Sequence, residues 1–127
     1  ERYEALGPMY YRGADVAVVV MDNSKMSIEA AKTMVSKLRR DWGSDVRPIC
    51  IVQNKSDLPD FKYQKEIIED LDVNFASSAS ALYGENVTKV FMQACKLAIM
   101  ERKRKIAQNK LAINTDMQET KKTFGCC

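Results

Sequence analysis

The stretch Ile49-Cys50-Ile51-Val52-Gln53-Asn54-Lys55-Ser56-Asp57 runs from four apolar residues into an amide, an ammonium and a carboxylate. In an open parallel sheet the C-terminal ends of the strands are where ligands bind. A carboxylate held there can accept two parallel hydrogen bonds, from the N1–H and the exocyclic amine of guanine. Adenine has an acceptor at N1 and no amine at C2, so it cannot make that pair. Charge-assisted bonds of this kind contribute roughly 1.5–3 kcal/mol each. A site built to pair such groups rejects a ligand lacking them by ~10⁴ or more. Asp57 is the candidate for that selectivity. Lys55 can lay its methylene stem along the flat base, and Asn54 can tie the loop to its neighbours. The competing reading is a polar turn after a strand, with Asn and Asp serving turn chemistry. The position directly after Ile49–Val52 favours the ligand.

A second loop belongs with the first. Ala76-Ser77-Ser78-Ala79-Ser80 is expected at the C-terminal end of a later strand, where backbone N–H groups can meet the guanine O6. Small residues chosen for close packing are the alternative.

These loops need a sheet to hold them. Val16 to Met21 is β-branched and apolar on both faces, as a strand covered on both sides should be. Ile49 to Val52 repeats the pattern, and Val73-Asn74-Phe75-Ala76 is a weaker third copy. Between the first two lies a helical segment with Ile28, Ala31, Val35 and Leu38 on one face, with Ser27 as its expected N-cap. A short helix is expected around Ile67, Ile68 and Leu71, after the break at Pro59-Asp60. A long helix follows from about Asn86, with Val87, Val90, Phe91, Ala94, Leu97 and Ala98 as its buried face. The apolar face runs out at Glu101-Arg102-Lys103-Arg104-Lys105, and Gln108 to Gly125 reads as a mobile polar tail. Strands alternating with helices make a parallel α/β sheet with right-handed crossovers. No internal repeat is evident.

A chain of 127 residues makes one domain at most. Its hydrophobic fraction of 46% and charged fraction of 29% are those of a soluble globular protein. The net charge of +3 is too mild to argue for nucleic acid, and Lys37, Arg39, Arg40 and Arg102–Lys105 read as solvated helix ends without an aromatic platform. There is no histidine, which removes Ser-His-Asp and Cys-His catalysis and imidazole-dependent zinc sites. Cys50 and Cys95 read as small buried hydrophobes. Cys126 and Cys127 differ, because they end the chain after a polar tail.

Glu1-Arg2-Tyr3, Tyr10-Tyr11-Arg12-Gly13-Ala14, Asn54-Lys55-Ser56-Asp57, Ser78-Ala79, Gly84-Glu85-Asn86-Val87 and the terminal Cys-Cys occur in the order found in Rab small GTPases. The chain resembles the C-terminal two thirds of one, from Glu1 to about Ala98. The resemblance implies a P-loop NTPase-like parallel α/β sheet with helices on both faces and the N-terminal strands missing. It divides the chain into a partial G domain, residues 1–105, and a flexible hypervariable tail, 106–127. It implies that Asn54, Lys55 and Asp57 hold guanine and that Ser78 and Ala79 complete the base pocket. Arg2, Tyr3, Tyr10, Tyr11, Arg12 and Gly13 would form the rear of switch II, read by effectors, although the tyrosines also suit a core under a helix. Cys126 and Cys127 would carry geranylgeranyl groups, although the ending is not a Cys-a-a-X box. The implied function is a GTP/GDP switch in vesicle traffic, with Mg²⁺ in the intact protein. Implied partners are effectors, an exchange factor, a GTPase-activating protein, a prenylation escort and a GDP-dissociation inhibitor. The implied place is the cytoplasmic face of intracellular membranes, with a cytosolic pool.

The chain departs from the family where Ser80 stands in place of the usual Lys, with two extra residues before Gly84 and a short segment after Asp57. These departures predict a weaker grip on the base. No Gly-x-x-x-x-Gly-Lys-[Ser/Thr] occurs, so no catalytic residue, phosphate cradle or metal ligand is assigned within the 127 residues. A start at Glu1, in mid-motif and without Met, suggests part of an ordinary Rab that cannot hydrolyse GTP alone. The other reading is a shortened, nucleotide-free interaction protein using the switch-like segment and lipidated tail.

Overall fold

A computed structural model describes the backbone of residues 11–123, and the side chains as far as 115 and at 117. Arg2, Tyr3, Tyr10, Cys126 and Cys127 therefore lie outside the described residues. Three parallel strands form one sheet in the order β1 (Ala17–Met21), β2 (Ile49–Gln53), β3 (Phe75–Ser78). Helix α1 (Lys25–Trp42) connects the first pair, α2 (Lys65–Asp70) the second, and α3 (Val87–Thr123) follows. This is the expected parallel α/β architecture, with helices joining successive strands.

Alternation along each strand sorts side chains between two cores. Val19 and Met21 of β1 and Ile49 and Ile51 of β2 meet Ile28, Ala31, Val35, Leu38 and Trp42 of α1, with Ile68 of α2 completing the cluster. On the other face, Val52 and Ala79 pack against Val90 of α3, with Val18 and Phe75 beside them. Ile51 is fully buried, a burial that contributes roughly 1.5–3 kcal/mol. Cys50 is also fully buried, and burial pushes its thiol above the ordinary cysteine range.

Several local expectations shift. Helix α1 is capped by Ser24, three residues earlier than expected: its Oγ accepts from the Ser27 N–H at 3.2 Å. Ser27 sits in the first turn and its hydroxyl oxygen accepts from the Asp22 N–H, so the two serines close the helix start from both directions. The third strand lies two residues later than expected. Asn74 brackets its entrance, with N–H bonded to the Ile49 carbonyl and Oδ1 accepting from the Ile49 N–H, both at 2.9 Å. Phe91 and Cys95, expected in the core, point outward from α3. The chain from Gln108 is helical rather than a mobile tail, as α3 continues unbroken to Thr123. No Gly or Pro occurs between Val87 and Thr123 to end it, and Ala, Leu, Lys, Gln, Met and Arg all favour helix.

The basic run on α3 is not a simple solvated end. Arg102 and Lys105 pair with Asp15, and Arg104 and Lys105 pair with Asp45. Buried Glu101 accepts from Arg104 at 2.5 and 2.8 Å. Arg39, also expected to be solvated, donates to the carbonyls of Leu71 and Asp72 at 2.6 Å. Hydrogen bonds from Arg102, Arg47 and Arg104 hold Asp15, Asp45 and Glu101, respectively, below the usual carboxylate range. A carboxylate depressed in the folded state stabilises above its unfolded pKa, about 4, and that contribution is lost as pH falls through the depressed value. The melting temperature is therefore expected to fall steadily below about pH 4.5. Glu101→Gln should lower it by roughly 5–15 °C at neutral pH, the equivalent of one charge-assisted bond, and flatten the acid loss. Calorimetry across pH 3 to 7 on both proteins checks this. An unchanged acid profile in the variant would remove Glu101 from the account.

Candidate functional site

The C-terminal ends of β2 and β3 bring three segments together. Asn54 leaves β2 with its N–H on the Met21 carbonyl at 2.7 Å, which ties the loop to the end of β1. Lys55 follows in the left-handed region at φ 67°. A non-glycine residue there is strained, and such strain concentrates where a site must be held in place. Its ammonium pairs with Asp22 at 2.7 Å, and that bond, with those from Ser24, depresses the Asp22 carboxyl strongly. The Lys55 stem remains exposed.

The loop after β3 closes on this segment. Ser80, fully buried, donates its hydroxyl to Asp57 Oδ1 at 2.5 Å. The Ala81 N–H donates to Asn54 Oδ1 at 2.9 Å. Ser80 is itself held by an antiparallel bridge, its N–H on the Glu85 carbonyl at 3.1 Å, and its hydroxyl accepts from the Tyr83 N–H. Asp57 is exposed, and among the described residues no second partner takes its other oxygen. The site thus presents one carboxylate oxygen outward from a carboxylate oriented through the other.

Ser78 and Ala79 sit elsewhere. Ser78 closes β3, and its carbonyl accepts from the Asn86 side-chain amide at 3.0 Å. The Ala79 N–H is bonded to the Gln53 carbonyl, and the Ala79 carbonyl to the Ser56 N–H. The backbone N–H and carbonyl of Ala79 are thus already used within these loops. Ser80 and Ala81 are the small residues brought against Asp57 and Asn54, and the two-residue displacement of β3 is the reason.

Sequence reasoning also missed Gln53. It is fully buried at the end of β2, its amide donates to Asn23 Oδ1 and the Lys62 carbonyl, and its carbonyl oxygen accepts from the Gln64 N–H. A buried side chain using both ends cross-links the loops after β1 and β2. Its signal was a polar residue ending an apolar strand. A cavity of about 290 Å³ beside it is lined by Asp22, Asn23, Ser24, Lys55, Leu58 and Asp60. The larger cavity of about 510 Å³ runs along β1 and α1 and contains none of the candidate base-binding residues.

The Tyr11-Arg12-Gly13 segment is anchored at the opposite end of α1. The Tyr11 hydroxyl donates to Asp41 at 2.6 Å, and the Trp42 indole N–H donates to the Tyr11 carbonyl. Arg47, stacked 5.3 Å over Trp42, donates to the carbonyls of Arg12 and Ala14. Tyr11 packs against the core while Arg12 and Gly13 are exposed. Among the described residues no His, Cys, Asp or Glu cluster could hold a metal ion, and no helix is long and apolar enough to cross a membrane.

The Ras family profile matches residues 1–100. The chain belongs to the Ras family. Within it the similarity is to Rab proteins. It is 36% identical to a putative ras-related protein Rab-5B of Dictyostelium discoideum over 104 residues, 78% of this chain and 48% of that protein. It is 30% identical to the GTP-binding protein ypt5 of Schizosaccharomyces pombe over 130 residues, 95% of this chain and 60% of the relative. To the ras-related protein RABF2a of Arabidopsis thaliana it is 35% identical, over 76% of this chain and 50% of that one. The chain thus spans about half the length of the curated relatives it matches.

Proposed function

We propose that this chain is the base-recognition part of a Rab-type GTP/GDP switch. The observation that carries it is the Asp57 carboxylate at the end of a parallel strand, fixed by Ser80 through one oxygen and open at the other. The open oxygen, with the second lone pair of its neighbour, suits the N1–H and exocyclic amine of guanine. The Lys55 stem would lie along the base, and Asn54 holds the Ser80-Ala81 loop in place. Family membership and the GTP-binding relative support the ligand class. Because no phosphate-cradling sequence occurs in the 127 residues, hydrolysis and Mg²⁺ binding are not assigned to residues of this chain.

The rest of the switch follows from the same reading. Tyr11 to Gly13, with Arg2, Tyr3 and Tyr10, would present the nucleotide state to effectors, an exchange factor and a GTPase-activating protein. Cys126 and Cys127 would carry the lipids that place the protein on the cytoplasmic face of a transport membrane. A prenylation escort and a GDP-dissociation inhibitor would handle those lipids. Residues 106–127 would link the G domain to its anchor, as a helix for most of that length.

Ser80→Ala tests the geometry. Loss of one hydrogen bond to a charged group should weaken guanine nucleotide binding by roughly 10- to 100-fold while leaving adenine nucleotides excluded. Competition binding in the protein that carries this chain reads it. Unchanged affinity would mean that Ser80 does not orient the carboxylate.

A further inference from the structure

Helix α3 carries a seven-residue repeat. Lys89, Lys96, Lys103 and Lys110 recur at one heptad position, and Met92, Ile99, Ile106 and Ile113 recur three residues after each. Steps of three and four alternate along the two sets, so they form one ladder on one side of the helix. The core-facing residues of α3 are Val90, Ala94 and Glu101, which lie on the opposite side. All four apolar members are exposed, at 56%, 56%, 54% and 59%. All four lysines are exposed, and among the described residues none makes an ion pair, unlike their neighbours Arg102, Arg104 and Lys105. Folding does not explain this face. Past Lys105 the helix has no core beneath it through Thr115, yet Ile106, Leu111 and Ile113 continue along it.

The charge identifies the occupant. From Lys96 to Thr115 six basic residues stand against one acidic residue, leaving +5. The three-four spacing suits a coiled coil, but lysine fills every equivalent position of the seam. Two copies in parallel would stack an ammonium on an ammonium at each such layer, and any partner helix would have to desolvate four of them. A lipid surface imposes neither cost. Lysine stems lie along the apolar boundary while their ammoniums reach the phosphates, and the isoleucines enter the acyl edge. Exposed Met100 and Leu111 widen the apolar side beyond a coiled-coil seam. We infer that the outward face of α3, from Lys89 to Ile113, lies flat on an anionic lipid surface, independently of any lipid on Cys126 and Cys127. That contact spans about 37 Å at the usual helical rise.

The test uses the full 127-residue chain with Cys126→Ser and Cys127→Ser, which removes the lipidation sites and separates this contact from the anchor. Co-sedimentation is measured with vesicles of phosphatidylcholine alone and with one third phosphatidylserine. Binding is expected only to the anionic vesicles. Replacing Lys89, Lys96, Lys103 and Lys110 by Gln should reduce it by roughly 100-fold or more, at about tenfold for every one to two lysines. Replacing Lys25, Lys32, Lys37 and Lys65 on α1 and α2 by Gln removes the same charge and should change it less than about threefold. An environment-sensitive dye on Ile106→Cys, in a Cys95→Ser background, should shift to the blue on vesicles, while the same dye on Gln108→Cys should not. This arm uses intact lysines and so stands even if a quadruple variant misfolds. The inference is overturned by equal binding to both vesicle types, by equal loss in the two lysine sets, or by equal dye shifts. It is also overturned if light scattering shows a dimer that Ile106→Asn dissolves and the wild-type chain ignores vesicles.

Discussion

Asp57→Asn is expected to exchange the base preference of the protein that carries this chain. The substitution keeps one acceptor oxygen, on which Ser80 already sits, and turns the outward oxygen into an amide that donates. That amide faces the exocyclic amine of guanine, and two donors meet. Loss of two charge-assisted bonds amounts to roughly 3–6 kcal/mol, or two to four orders of magnitude in affinity for GTP. Xanthine has a carbonyl at the same ring position, which accepts from the new amide, so xanthosine nucleotides should gain as guanosine nucleotides lose. Competition between the two nucleotides for wild type and variant reads the exchange. Equal GTP affinity in both proteins would reduce Asp57 to a turn former and end the guanine assignment.

Removing both terminal thiols, Cys126→Ser with Cys127→Ser, is expected to leave the protein largely in the soluble fraction of the cell. One acyl chain of ordinary length holds a protein to a membrane only marginally, whereas two signals anchor it. Either single substitution should therefore give weak or misplaced membrane association. The α3 face does not replace the anchor, because four lysines and four apolar side chains give reversible adsorption rather than insertion. Fractionation of the three variants, with mass spectrometry of the C-terminal peptide, decides the matter. Two unmodified thiols on protein recovered from a membrane fraction would defeat the anchor.

Where one periodicity governs, the fold is legible in the sequence. Ile28, Ala31, Val35 and Leu38 repeat at helical spacing and do face the sheet, and Ile49–Val52 is a strand covered on both faces. Ala17–Met21 is also a strand, but Val20 is 60% exposed, so its apolar run is not covered on both faces as expected. Errors arose where partners far along the chain decide. Ser77 and Ser78 have little strand character of their own, yet Val52 and Gln53 hold them in register. That pairing keeps Ser78 at the end of β3 and brings Ser80 and Ala81 against Asp57 and Asn54. The α1 cap was a choice among nearby serines, settled by which hydroxyl reaches a free N–H. On α3, Phe91 and Cys95 read as core by residue type, but the sheet covers only one side of that helix. The seven-residue repeat was hidden for a related reason: half of its members are lysine, which an apolar-face reading passes over. Asn54, Lys55 and Asp57 follow β2 directly, where the apolar run before them placed the end of a strand.

Guanine recognition by the Asn54–Asp57 and Ser80–Ala81 loops can be read by titrating the isotope-labelled chain with guanosine and then adenosine monophosphate. Guanosine monophosphate should move the backbone amide signals of Asn54 to Asp57 and of Ser80 and Ala81 in a saturable way, and adenosine monophosphate should leave them in place. Equal shifts with both nucleotides, or guanosine-dependent shifts confined to other residues, would contradict it.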